Sequence, residues 1–144
     1  MSINVWYRTD ENYVLSNLAY RPVKAWFLGA QTFISVEHAY QSWKSGQFDS
    51  ITYNKQWGDG KKFRGRRAKT EDNWNLKLMY RIMERSFIQN PRALEVLLAT
   101  GNETITHRQG TGIWKVKFPL FLMKIRDKHN ASDVPVPAYR YIDY

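Results

Sequence analysis

The sequence contains no cysteine in its 144 residues, which removes disulfides and thiolate metal sites from consideration. With three histidines to set beside that absence, a zinc centre is not expected, and neither is a redox cofactor. No apolar run approaches the roughly 18 residues that a membrane-spanning helix needs. The opening stretch MSINVWYRTDENY lacks the basic-then-apolar order of a secretion signal, so a cytoplasmic location without membrane contact is the expectation. Linkers rich in Pro, Gly or Ser, internal repeats and low-complexity tracts are also missing. One domain over residues 1–144 is therefore expected. Acidic residues are scarce: 13 Asp and Glu against 22 Lys and Arg leave a net charge of +9. Such an excess suits a phosphate-bearing or nucleic-acid ligand, or solubility alone.

What is present is aromatic and basic. Six Trp, nine Tyr and seven Phe exclude a disordered chain, because disordered segments are poor in such residues. At this length a fold buries about 68–70% of the surface its unfolded chain exposes, enough for one core. The bases are unevenly spread. Lys61, Lys62, Arg64, Arg66, Arg67 and Lys69 crowd one stretch punctuated by Gly58, Gly60 and Gly65. A solvated loop does not require so dense a cluster, although such clusters occur without a ligand.

Residues 3–7 and 20–34 carry β-branched and aromatic residues and read as short strands, the second group turning at Leu28-Gly29-Ala30. Ser35 is placed to cap a helix over 36–44, with His38 where a capping box would have Glu or Gln, so only a simple cap is expected. Ile51–Trp57 suits a helical turn or two. The strongest helix runs from Thr70-Glu71-Asp72 to about Gln89, with Trp74, Leu78, Met79, Ile82, Met83 and Phe87 as its core stripe. Asn90-Pro91 ends it, and a shorter helix over 92–100 closes at Gly101. Thr104–Thr106 reads as a strand and Phe118–His129 as a final helix burying Leu120, Met123 and Ile125. The tail from Ala131 is expected to be extended. The class is α+β, mainly α-helical, with short β-strands.

Three local patterns go beyond packing. Leu15-Ser16-Asn17-Leu18 sets a polar pair between apolar residues. In the helix after Ser35, Glu37, Gln41 and Lys44 fall at i, i+4 and i+7, so carboxylate, amide and ammonium share one face. Spacing alone fits a solvated face equally well. Ala99-Thr100-Gly101, with Trp114 some way beyond, is the third.

In order, Leu15-Ser16-Asn17-Leu18, Val36-Glu37-His38 with Tyr40, Gln41 and Lys44, Gly65-Arg66, Trp74, Phe87-Ile88-Gln89-Asn90-Pro91, Leu97–Gly101 and Phe121–Arg126 resemble the motifs of the NADAR (YbiA-like) N-glycosidases. The resemblance covers about residues 12–128. No single motif is decisive; their ordered succession carries the resemblance. It implies hydrolysis of a ribose–nitrogen bond in a phosphorylated or ADP-ribosyl substrate. Examples are ADP-ribosylated guanine and a ribosylamino-pyrimidine of riboflavin synthesis.

By the same resemblance Glu37 is the catalytic carboxylate. Breaking the bond builds positive charge on the ribose, which an adjacent carboxylate stabilises or relieves by activating water. Gln41 and Lys44 are then candidates for ribose hydroxyls or phosphate, Asn17 for fixing the Glu37 carboxylate or a sugar hydroxyl, and Arg66 for phosphate. Trp74 and Trp114 are candidates for stacking on a base, although a Trp opening a helix often belongs to the core.

Departures from the pattern accompany it. Thr111 stands where the late, Trp114-containing loop usually carries an acid, and Lys115 replaces a glycine. His107 aligns with a family glutamate, and Phe33 with a tryptophan. His107 is thus a candidate proton donor, since an imidazole titrates closest to neutrality, though a lone His is commonly structural. Two other readings stay open: a catalytically decayed ADP-ribose or nucleotide binder, and a basic nucleic-acid-binding module, for which no standard motif is present. An ADP-ribosylated nucleic acid as substrate would merge the glycosidase reading with the nucleic-acid-binding one.

Overall fold

The computed structural model describes residues 2–6, 11–26, 32–45 and 76–130, with Lys44 and Ser45 described by their backbone alone. Among the described residues, four helices and four short strands follow in chain order: β1 (Ser2–Asn4), β2 (Val23–Lys24), β3 (Thr32–Phe33), α1 (Val36–Ser45), α2 (Leu76–Gln89), α3 (Pro91–Ala99), β4 (Thr104–Thr106) and α4 (Gly112–Asn130). A 3-10 turn, Tyr13–Leu15, lies between β1 and β2. The fold is α+β and mainly helical, as the sequence pattern implies.

Two small sheets frame the helices. β2 and β3 pair antiparallel with Val23 opposite Phe33. β1 pairs with β4 in parallel, Ile3 opposite Ile105, joining the first strand to the segment that leads into α4. The core lies between the helices: Leu78, Met79, Ile82, Met83 and Phe87 of α2 meet Ala39 and Tyr40 of α1, Leu97 of α3, and Phe121, Leu122 and Ile125 of α4. All five α2 positions are those of the expected apolar stripe. Burying a Leu, Ile, Met or Phe side chain contributes about 1.5–3 kcal/mol, so this stripe dominates the packing of α2.

Side chains stand in where strand pairing runs out. Gln89 accepts the Lys24 amide at 2.7 Å and donates to the Lys24 carbonyl at 3.1 Å. Asn90 donates to the Pro22 carbonyl at 2.6 Å and to Ser86 O at 2.7 Å. The Gln-Asn pair that ends α2 therefore fastens β2 along that helix. Pro91 then opens α3 at its first turn, where its missing N–H costs nothing. Gly101, at φ 63°, follows the C-cap Thr100 in the left-handed conformation that glycine adopts without penalty. Arg126 of α4 is buried and donates to Glu103 O (2.6 Å) and Thr100 Oγ1 (3.3 Å), tying α4 to the turn before β4.

Two expectations need correction. α4 begins at Gly112, not Phe118, and runs through Pro119. Proline removes one helical hydrogen bond, but Phe118, Phe121, Leu122 and Ile125 form a continuous apolar stripe whose burial outweighs that loss. Leu120 points away from that stripe and is exposed, and Met123 is only half-buried. The expected turn at 28–30, the helical turn at 51–57, the basic stretch 61–69, the Thr70 helix start and the tail from 131 lie outside the described residues.

Another buried charge joins two helices. Glu84 of α2 is fully buried and meets Lys128 Nζ at 2.9 Å and His129 Nε2 at 3.5 Å, both in the last turn of α4. Buried carboxylates persist where a cation compensates them.

Candidate active site around Glu37

The start of α1 is built by a reciprocal cap. Ser35 Oγ accepts the backbone N–H of His38 at 3.0 Å, and His38 Nδ1 accepts the N–H of Ile34 at 3.2 Å. The imidazole does what a glutamate does in a capping box, reaching one residue further back. The simple cap expected from sequence is thus a double one. Accepting at Nδ1 leaves the neutral ring's proton on Nε2. Phe33 meets the His38 ring edge-on at 5.3 Å and so helps hold this cap.

Glu37 sits in the first turn, half-buried. Its backbone N–H donates to Asn17 O at 2.9 Å, one of the orphan donors of a helix start satisfied from another segment. One turn along, Gln41 Nε2 donates to Glu37 Oε1 at 2.8 Å. The shared face expected from spacing is therefore a bonded carboxylate–carboxamide pair. Gln41 Oε1, also buried, has no hydrogen-bond partner among the described residues. An unsatisfied buried acceptor costs about 1–3 kcal/mol, so it marks a place where a donor is wanted.

Asn17 reaches Glu37 through its main chain. Its side chain points the other way: Oδ1 accepts from Arg21 Nη2 at 3.4 Å, and Nδ2 approaches Met79 Sδ at 3.6 Å. Behind it Arg21 is 1% exposed. Its Nε donates to Ser86 Oγ (2.8 Å) and its Nη1 to Val14 O (2.6 Å) and Ser16 O (2.9 Å), while the guanidinium lies 4.2 Å from the Phe87 ring centre. Burial lowers its pKa to about 9, which leaves it charged at neutral pH. Sequence reasoning misses Arg21. A single basic residue between Tyr20 and Pro22 gives no signal of burial.

Trp114 lies in the first turn of α4, not in a loop, because α4 starts early. It is half-buried and meets Tyr40 of α1 edge-on at 5.6 Å. One turn along α4, Phe118 packs against His107 at 4.8 Å. His107 Nδ1 lies 2.9 Å from Val5 O, and a carbonyl can only accept, so Nδ1 carries the proton. Neither contact links His107 to α1. Gly110 closes the turn with its N–H on His107 O, and a Cβ there would lie 2.3 Å from His107 Cδ2. Thr111 is exposed just before α4.

The structure thus brings together Glu37, Gln41 and the Asn17 backbone, with Trp114 joined to α1 through Tyr40. It sets His107 on the β1–α4 side. Lys44 lies in α1 two turns after Glu37. Arg66 and Trp74 lie outside the described residues. Among the described residues no cluster of His, Cys, Asp and Glu could hold a metal, and no helix is long and apolar enough to cross a membrane.

No family model matches the sequence, and no curated protein matches it. The NMR structure of the E. coli protein YbiA is similar to this chain: the TM-score is 0.64 at 19% identity, covering 90% of this chain and 85% of that one. The chain has the YbiA-like fold.

Proposed function

We propose that this protein is a NADAR-type N-glycosidase, hydrolysing the ribose–nitrogen bond of a phosphorylated or ADP-ribosyl substrate. The observation that carries the reading is the Glu37–Gln41 pair: a half-buried carboxylate bonded at 2.8 Å to a carboxamide whose own oxygen is buried and unpartnered among the described residues. Glu37 stabilises the charge that develops on the ribose, or activates the water that attacks it. Gln41 Nε2 holds the carboxylate, and Gln41 Oε1 accepts from a ribose hydroxyl. Lys44 and Arg66 take the phosphate, and Trp74 and Trp114 bound the base. His107 supplies the leaving-group proton. The YbiA-like fold and the ordered motifs support membership of the NADAR family. ADP-ribosylated guanine and a ribosylamino-pyrimidine of the riboflavin route are the substrates this reading favours, with no cofactor needed.

A second reading is a binder of ADP-ribose that has lost catalysis. Thr111 favours it, because a hydroxyl cannot donate a proton near neutral pH. One experiment separates the two. The protein is incubated with ADP-ribosylated oligonucleotide and with phosphoribosylamino-pyrimidine, and the products are read by mass spectrometry. Released base or sugar supports the glycosidase; bound ADP-ribose with no release supports the binder.

A further inference from the structure

Away from Glu37, β2 runs antiparallel to the second half of α2: Lys24 is fastened to Gln89, and Trp26 lies two residues later beside Arg85 and Arg81. The Arg81 guanidinium carbon is 4.3 Å from the Trp26 ring centre and that of Arg85 is 4.6 Å. The indole remains 37% exposed. Two guanidinium groups at i and i+4 repel each other, and like-charge pairs at this spacing destabilise a helix. Neither has a hydrogen bond or ion pair among the described residues, and Arg81 Nε is buried without an acceptor there. Burial and the charge of Arg81 both lower the pKa of Arg85. Lys77, exposed one turn before Arg81, extends the row. The one acid of α2, Glu84, is buried and engaged by Lys128 and His129.

We infer that Trp26, Arg81 and Arg85, with Lys77, form a docking surface for the phosphodiester backbone of a single-stranded nucleic acid. Indole stacking contributes favourably for any base, and arginines beside it neutralise phosphates. The row from Lys77 to Arg85 spans about 12 Å at the helical rise of ~1.5 Å per residue. Phosphates recur every ~3.4 Å along a stacked strand, so this length meets more than one of them. An anion between Arg81 and Arg85 relieves their repulsion. The net charge of +9 adds general attraction to such a strand. The surface goes beyond the proposed glycosidase activity and does not depend on it.

The test uses the full chain and an unmodified fluorescein-labelled 15-nucleotide thymidine strand, read by anisotropy at several salt concentrations. Arg81→Glu with Arg85→Glu should weaken binding at least ~10-fold more than the charge-matched control Arg92→Glu with Arg108→Glu, both control residues being exposed. The salt slope should fall by about 0.7 for each phosphate that is no longer neutralised. Arg81→Gln with Arg85→Gln gives the same ordering, should the reversal disturb the fold. Trp26→Ala should weaken binding while leaving the slope unchanged. Equal loss in the Arg81/Arg85 and control variants overturns the surface. So does equal affinity for inorganic phosphate, for a phosphopeptide or for anionic vesicles. Glu37→Gln should bind the strand as well as the parent, so failure of the glycosidase reading leaves this result intact.

Discussion

The backbone N–H of Glu37 donates to the carbonyl of Asn17 at 2.9 Å, so the first turn of α1 is fixed by a residue twenty positions earlier in the chain. The bond is made by main-chain atoms on both sides, so it does not depend on the Glu37 carboxylate. The Glu37 carboxylate can therefore be altered without releasing the helix start.

Glu37→Gln should keep the fold and abolish most turnover. Glutamine retains an oxygen for Gln41 Nε2, so the 2.8 Å contact has a counterpart. The charge is lost, and with it the stabilisation of a positive ribose. A fall in kcat of at least ~10²-fold is expected, with an unchanged circular dichroism spectrum. Parent-like rates in the folded variant would remove Glu37 from the chemistry.

Arg21 supports the other side of the same junction. Its guanidinium donates to Ser86, Val14, Ser16 and Asn17. Arg21→Lys keeps a charge but loses the planar fork, leaving buried acceptors unmatched. Each orphaned group costs about 1–3 kcal/mol, so a loss of ~2–4 kcal/mol is expected in urea denaturation. Ser86→Ala removes a single partner and should cost less than half as much. A lysine variant as stable as the parent would mean the fork is unnecessary.

Arg21 also marks where the sequence stops being readable. Helix α1, the stripe of α2, Pro91 at the start of α3 and Gly101 after its end follow local rules, and each is legible. Asn17 and Glu37 emerge from motif order, and Gln41 from helical spacing. Burial of Arg21 and Glu84 depends on partners far along the chain, and charged residues alone point to the surface. The parallel pairing of β1 with β4 spans about a hundred residues, and no local signal encodes it. Pro119 suggests a helix start, whereas α4 begins at Gly112 and continues through it.

Two glycines near His107 should respond differently to the same substitution. Gly112 has φ 59° with nothing within 4 Å of an added Cβ, so Gly112→Ala meets backbone strain alone, about 1–2 kcal/mol. At Gly110 the added atom would lie 2.3 Å from His107 Cδ2 and 2.9 Å from Nε2. The ring must move, which disturbs its contact with Val5. Gly110→Ala should shift the His107 imidazole resonances and lower stability by ~1–3 kcal/mol, as overpacking does. Gly112→Ala should leave those resonances in place.

His107 itself has two separable roles, because its ring nitrogens do different things. Nδ1–H is committed to the Val5 carbonyl at 2.9 Å, so a proton can reach a substrate only from Nε2. Asparagine can also donate to that carbonyl through its side-chain amide, but it carries no proton that titrates near neutrality. His107→Asn therefore tests the acid while sparing the contact, and His107→Ala removes both. If His107 protonates the leaving base, both variants should slow poor leaving groups far more than good ones. If the Val5 contact is what matters, His107→Asn should behave as the parent, and only His107→Ala should lose stability and activity together. Leaving-group dependence in the asparagine variant decides between them. An equal loss across all substrates would take proton delivery away from His107.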